Sequence, residues 1–464
     1  MGVAVSDWRL ARSVSRLGQM GVVSGTALDV VLVRRLQNGD IGGHVRRAAA
    51  HFPMPDVVKR VFARYLRQGG ETIKKRFKSH PMGRLRPSRN LLDLQVLANF
   101  VEVFLAKEGH GGMVGINLLT KIQAPTLPSL YGAMLAGVDA VLMGAGIPRE
   151  IPKVLDKLAD GRPAKLKLDV KDVDRDKPFW LRFDPAEFCG EKLAKLNRPK
   201  FFPIISSAVL AKMFARDEGV DGFIVEGPTA GGHNAPPRGK LQLDANGEPI
   251  YGEKDDADLA AIAEFGLPFW LAGSYAEPER VVEALEAGAT GVQVGTAFAY
   301  AEESGFSPEV KARVIARSKA GTAEVFTDPV ASPTGFPFKV VSVPDTMSEQ
   351  NLYEKRERVC DLGYLRTPYR IDDETVGWRC ASEPVQDYVR KGGDEEETVG
   401  RKCVCNALLA SIDLGQVQKN GDEELPLVTS GDDVANVARF LKPGADTYTA
   451  ADVIEYLLRD VVRS

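Results

Sequence analysis

The sequence of 464 residues lacks any apolar run near the roughly 18–20 residues that a membrane-spanning helix requires. Its opening stretch, MGVAVSDWRLARSVSRLG, is apolar for five residues and then amphipathic, unlike a secretory signal. Met1-Gly2 with Ser6 fits the start of a myristoylation motif, but Gly2–Val5 reads better as a buried strand. Neither sign of charge prevails: 60 Lys and Arg face 63 Asp and Glu, which gives no electrostatic reason to expect a nucleic-acid or membrane-surface protein. Five cysteines in so long a chain do not make a disulfide scaffold, and a reducing, cytoplasmic setting is the expectation. A dinucleotide-binding GxGxxG after a strand is missing, since Gly144-Ala145-Gly146 runs into Pro148. No G-x-S-x-G nucleophile elbow and no HExxH zinc motif occurs.

What is present is ordinary globular usage, 44% hydrophobic and 27% charged, patterned as a parallel α/β fold. Short apolar runs recur at Gly2–Val5, Gly21–Ser24, Met113–Ile116, Ala140–Met143, Phe202–Ser206, Gly222–Val225, Pro268–Ala272 and Gly291–Val294. Helical patterns lie between them, as at Asp7–Leu17, Leu127–Ala136, Ala208–Glu218, Leu259–Phe265 and Glu277–Ala287. Gly137, Gly219 and Gly288 each follow a helix and precede a strand, where a left-handed residue ends the helix. Eight runs predict a (β/α)₈ TIM barrel over residues 1–305.

Two stretches exceed that plan. Residues 25–112 form a helical insertion after strand two, with helices expected at His44–His51, Asp56–Tyr65 and Asn90–Ala106. Within 161–198, Lys165–Val170 and Phe179–Phe183 alternate apolar with charged residues and predict an inserted antiparallel hairpin. From 306 to 464 the repeat stops. A mixed C-terminal extension, closing with an amphipathic helix at Ala450–Val462, is expected to pack on the barrel.

In such a barrel, catalytic groups sit at the C-terminal strand ends, and phosphate binds after strands seven and eight. Strand six leads into Glu226-Gly227-Pro228-Thr229-Ala230-Gly231-Gly232-His233. Strand seven leads into Ala272-Gly273-Ser274-Tyr275, and strand eight into Gln293-Val294-Gly295-Thr296. Glycines at adjacent strand ends let backbone N–H groups approach an anion, and Ser274 and Thr296 add hydroxyls. His233 is the best-placed of five histidines. His44 and His51 read as solvated, His80 as part of a basic loop, and His110 as a turn residue.

These segments, with Gly115-Ile116-Asn117-Leu118, resemble the nitronate monooxygenase (2-nitropropane dioxygenase-like) family of FMN-dependent TIM barrels, related to flavin-type enoyl-acyl-carrier-protein reductases. The resemblance runs from about Met1 to Ala301. It implies that Gly2, Asn117, Glu226, Gly231, Gly232, Gly273, Ser274, Gln293, Val294, Gly295 and Thr296 surround FMN. Of these, Gly273, Ser274, Gly295 and Thr296 would lie about its phosphate, with His233 as the catalytic or orienting histidine. Glu226 stands where these enzymes usually carry Gln. The family also has several residues before the Met-Gly pair, so part of strand one is expected to be missing.

The implied reaction is oxidation of an alkyl nitronate with O₂. Alternatives on the same scaffold are NAD(P)H-dependent reduction of an enoyl thioester, or a flavin-binding subunit of a larger synthase. The expected partners are thus a small-molecule substrate and O₂ or NAD(P)H, with no nucleic acid and no membrane, and a homodimer is an expected assembly. Lys74, Lys75, Arg76, Lys78, Arg84, Arg86 and Arg89 read as a solvated loop or as a dock for a phosphate-bearing thioester. Cys360, Cys380, Cys403 and Cys405 have the ligand types for zinc or an iron–sulfur cluster. With no CxxC pair among them, buried free thiols are the reading taken, and no metal site is assigned.

Overall fold

The computed structural model describes residues 2–67, 76–171, 177–191 and 194–461. Nine strands occupy its first two thirds: β1 (Gly21–Ser24), β2 (Val114–Leu119), β3 (Ala140–Gly144), β4 (Ala164–Leu168), β5 (Phe179–Phe183), β6 (Lys200–Ile205), β7 (Phe223–Glu226), β8 (Phe269–Ala272) and β9 (Gly291–Gln293). Seven form one parallel sheet, in the order β1-β2-β3-β6-β7-β8-β9. The central strands are buried on both faces, as sheets covered by helices must be. Register aligns their C-terminal ends: Ser24 pairs Asn117, Glu226 pairs Ala272, and Ala272 pairs Gln293. Gly137, Gly219 and Gly288 have φ of 74°, 87° and 86°, the left-handed stops expected of them.

The first expected strand is not one. Residues 3–5 form a turn, and Ala4 has a φ of 46°, which breaks an extended backbone. The segment still bridges the sheet to the chain beyond β9. Ser24 donates its N–H to Ser6 O (2.8 Å) and its hydroxyl to Gly2 O (2.6 Å), while Gly305 donates its N–H to Val5 O (2.8 Å). Four consecutive apolar residues record burial, and burial alone does not distinguish a strand from a turn.

Between β3 and β6, β4 and β5 form the expected antiparallel hairpin, from Ala164 opposite Phe183 to Leu168 opposite Phe179, with burial alternating along both strands. The helix Trp8–Arg16 starts where Asp7 accepts N–H bonds from Arg9 and Leu10. The insertion carries helices His44–Ala49, Pro55–Tyr65 and Arg89–Lys107, and one more, Leu28–Gln37, that the pattern does not announce. Nine of its ten residues are buried, including Asp29 and Arg34, so it has no polar face to reveal its period.

Beyond β9 come two antiparallel hairpins, β10 (Val325–Asp328) with β11 (Phe338–Val341) and β12 (Thr367–Arg370) with β13 (Val376–Arg379). The closing helix runs Ala450–Leu458, opened by a capping box of Thr449 and Asp452. Val404, Leu408, Leu427 and Val453 from this region share one hydrophobic cluster with Val3, Val30, Val281 and Tyr300. None of the helices among the described residues is long and apolar enough to cross a membrane.

Candidate functional site

A cavity of about 400 Å³ opens inside the curve of the sheet. It runs from Met20 at the start of β1, past Val22, Ile224 and Trp270, to the loops at the C-terminal strand ends. Asn117, Glu226 and Gln293 reach it from strand ends that the register holds level. Gly231, Gly232 and His233 follow β7, Gly273 and Ser274 follow β8, and Val294, Gly295 and Thr296 follow β9; all line the same cavity. Gly2 lines it from the bridging turn. All twelve sequence-derived positions are therefore brought together.

The loops after β7 and β8 are close-fitting. Gly273 has a φ of 109°, and a Cβ there would lie 2.9 Å from Thr229 Oγ1; Ser274 is also left-handed, at φ 55°. A side chain at Gly273 would be both strained and obstructed. Gly295 is different, since a Cβ there would meet nothing within 4 Å, which leaves its backbone open. Together with the hydroxyls of Ser274 and Thr296, this edge can receive an oxyanion.

His233 is fixed by the C-terminal region. Its Nε2 lies 2.6 Å from Ser332 Oγ, its ring packs on Phe338 at 4.7 Å between centroids, and Lys339 N–H donates to Gly232 O (2.9 Å). Burial pushes the imidazole down to about 3, so it is neutral at working pH. Glu226 moves the other way: burial in the cavity wall pushes its carboxyl up to about 7. Of the two side chains, Glu226 is the one poised to exchange a proton near neutrality.

The C-terminal region closes the cavity with residues that the βα pattern does not identify. Tyr364, Leu365, Val404, Cys405 and Leu408 face it. Gly431 N–H donates to Thr296 Oγ1 (2.9 Å), leaving that hydroxyl's own proton available, and Ser430 shares a 2.7 Å hydrogen bond with Tyr300. Only glycine fits at 431, because a Cβ would lie 2.6 Å from Thr229 O. The run Val428-Thr429-Ser430-Gly431-Asp432, small and polar between apolar stretches, is the one sequence signal for this contact.

His80, read as part of a basic loop, does not face solvent with the rest of that run. It is buried, 3.1 Å from the Tyr364 hydroxyl, which itself donates to Asp29. In the rest of the basic run, Arg89 pairs with Asp93, while Arg76, Lys78, Arg84 and Arg86 are exposed. Lys74 and Lys75 lie outside the described residues. His110 is the expected turn residue, taking a bond from Gly112 N–H at 3.1 Å.

The comparison with known families falls on the loops just described. Residues 190–333 match the nitronate monooxygenase family model. The matched segment contains Glu226, His233 and the turns after β7, β8 and β9. A probable nitronate monooxygenase of Bacillus subtilis (strain 168) is 32% identical over 117 residues, which is 25% of this chain and 32% of the relative. A second relative is the (3aS,4S,5R,7aS)-5-hydroxy-7a-methyl-1-oxo-octahydro-1H-indene-4-carboxyl-CoA dehydrogenase of Mycobacterium tuberculosis (strain ATCC 25618 / H37Rv). It is 30% identical over 217 residues, 41% of this chain and 56% of that protein. The alignments thus span about a third and just over half of these two relatives' lengths. Among solved structures, FabK from Thermotoga maritima is 15% identical with a TM-score of 0.47, over 99% of this chain and 89% of its own. A nitroalkane oxidase from Streptomyces ansochromogenes is 14% identical with a TM-score of 0.46, over 100% and 94%.

Proposed function

We propose that the protein is an FMN-dependent oxidoreductase of the nitronate monooxygenase type, built on a (β/α)₈ framework whose eighth strand position is taken by residues 2–6. The observation that carries this reading is the convergence of all twelve positions on one large cavity. The residues fit the cofactor: the open backbone at Gly295 and the left-handed Gly273-Ser274 turn make an edge for the phosphate. Thr296 would offer its hydroxyl there, and Asn117, Glu226 and Gln293, which line the same cavity, would border the ring. When bound, FMN supplies the two-electron redox chemistry.

The chain's own side chains do the remainder. His233, held by Ser332 and neutral, orients the substrate through a hydrogen bond and does not serve as its base. Glu226 holds or releases a proton beside the reacting atoms. Leu365, Val404 and Leu408 exclude water from above. Oxidation of an alkyl nitronate with O₂ is the reaction assigned.

Reduction of an enoyl thioester by NAD(P)H is the second reading. Three observations favour it: the cavity's size, the exposed Arg76, Lys78, Arg84 and Arg86, and a relative whose name specifies a CoA thioester. Anaerobic titration of the flavin-loaded protein separates the two. Bleaching by a nitronate and not by NADH or NADPH is expected; bleaching by the nucleotide favours the reductase, and bleaching by neither leaves a flavin-binding subunit. The variant His233→Ala should keep FMN and lose at least a hundredfold in turnover, and an unchanged rate would remove the histidine from the mechanism.

A further inference from the structure

His233 has two ring nitrogens, and the fold engages one of them. Nε2 lies 2.6 Å from Ser332 Oγ. Nδ1 has no hydrogen-bond partner among the described residues and is not sealed within the protein, and the residue borders the large cavity. A neutral imidazole carries its proton on one nitrogen, so the hydrogen bond at Nε2 decides whether Nδ1 offers a donor or a lone pair.

Counting hydrogens around Ser332 gives the direction. Its hydroxyl is completely buried and has three polar neighbours: His233 Nε2, Thr334 Oγ1 at 2.8 Å, and the Thr334 N–H, which donates to it at 3.3 Å. Thr334 Oγ1 in turn accepts the Phe336 N–H at 3.3 Å. A hydroxyl has one proton and two lone pairs. If Thr334 donates its hydroxyl to Ser332 and Ser332 donates to Nε2, every one of these protons has an acceptor and both lone pairs of Ser332 are used. The opposite direction, from Nε2–H to Ser332 to Thr334, leaves the Thr334 hydroxyl proton with no acceptor among the described residues. The network therefore selects the tautomer.

The loop that carries Ser332 is itself braced. Arg401 donates to Val330 O at 2.8 Å and to Ser332 O at 2.7 Å, and the N–H groups of Val330 and Ala331 both donate to Asp328 Oδ1. The imidazole packs on Phe338 on one side and meets the edge of Phe336 at 6.5 Å between centroids. A donor held by its neighbours in this way keeps its direction without reorganising.

The geometry points to Ser332, backed by Thr334, as the positioning residue that fixes His233 as the Nδ1–H tautomer. The ring then presents a permanent N–H donor to an acceptor oxygen of the bound substrate. A negatively charged oxygen would receive the stronger bond. The substrate side of this assignment rests on the oxidoreductase reading; the position of the proton does not.

The test is the two-bond proton–nitrogen NMR spectrum of full-length protein labelled with ¹⁵N-histidine, with the His233 signals assigned by their absence from His233→Ala. A protonated Nδ1 and an unprotonated Nε2 are expected near neutral pH. A proton on Nε2 would overturn the assignment, and this wild-type measurement stands even if a variant fails to fold. Ser332→Ala should release the ring to a mixture of tautomers and lower kcat/KM at least about tenfold. Thr334→Val, which keeps the shape and removes the hydroxyl, should cost less, roughly two- to fivefold, with the proton still on Nδ1. An unchanged His233 spectrum in Ser332→Ala would remove Ser332 from the role. Absence of nitronate turnover beside the expected spectrum would count against the reaction and leave the tautomer assignment in place.

Discussion

The strand ends of the sheet and the C-terminal region enclose one cavity, but different forces hold them. β2, β7, β8 and β9 deliver Asn117, Glu226, Gly273 and Gln293 on a continuous backbone ladder, with apolar contacts on both sides. The cover is tied down by buried charges. Arg356 forms a two-pronged bond with Glu424 at 2.6 and 2.7 Å, buried Lys339 reaches the exposed Asp432 at 2.5 Å, and buried Arg34 donates to Leu414 O. A ladder loses little when one side chain changes, but a buried ion pair leaves an uncompensated charge when half of it is removed. Single substitutions should therefore disturb the cover more than the wall.

The largest effect is expected at Glu424, which is buried against Arg356. Removing its carboxylate in Glu424→Ala should cost about 3–5 kcal/mol by urea unfolding. A loss below about 1 kcal/mol would mean that ion pairs do not hold the cover. Glu226→Gln tests the wall, with the opposite sign. The folded protein holds the Glu226 proton up to about 7, above the ordinary 4.5. Its carboxyl therefore favours the fold below 4.5, and that advantage is lost as pH rises from 4.5 through 7. The Gln variant should match wild type at about pH 4 and exceed it by roughly 3 kcal/mol at pH 8. A pH-independent difference would contradict the burial argument.

Gly431→Ala probes the seam between the two regions, forcing a Cβ to 2.6 Å from Thr229 O. A loss of about 1–3 kcal/mol is expected, with at least tenfold weaker FMN binding. Full retention of FMN would separate the cover from the cofactor site. The smallest effect belongs to Arg84→Ala with Arg86→Ala, both exposed. Stability should stay within about 0.5 kcal/mol. If the thioester reading holds, KM for an acyl thioester should rise severalfold at low salt and less at high salt.

The contrast also explains how much was legible in the sequence. Repeated βα units mark themselves by period and by glycine stops, so the ends of β7, β8 and β9 are legible from the sequence as neighbouring strand ends. Gly2–Val5 misled because apolar content records burial and not conformation. Leu28–Gln37 was silent because it is buried on nearly every side. The cover has no period. Tyr364 and Ser430 come from loops and Cys405 from the helix Val404–Ala410, and only the packed core brings them to the cavity, as it brings Ser332 to His233.

Release of the cofactor from purified protein tests whether wall and cover together make a flavin cavity. Denatured, clarified protein should yield FMN at close to one per chain, and the apoprotein should quench added FMN fluorescence stoichiometrically. A colourless protein that leaves FMN fluorescence unchanged on titration would contradict the account.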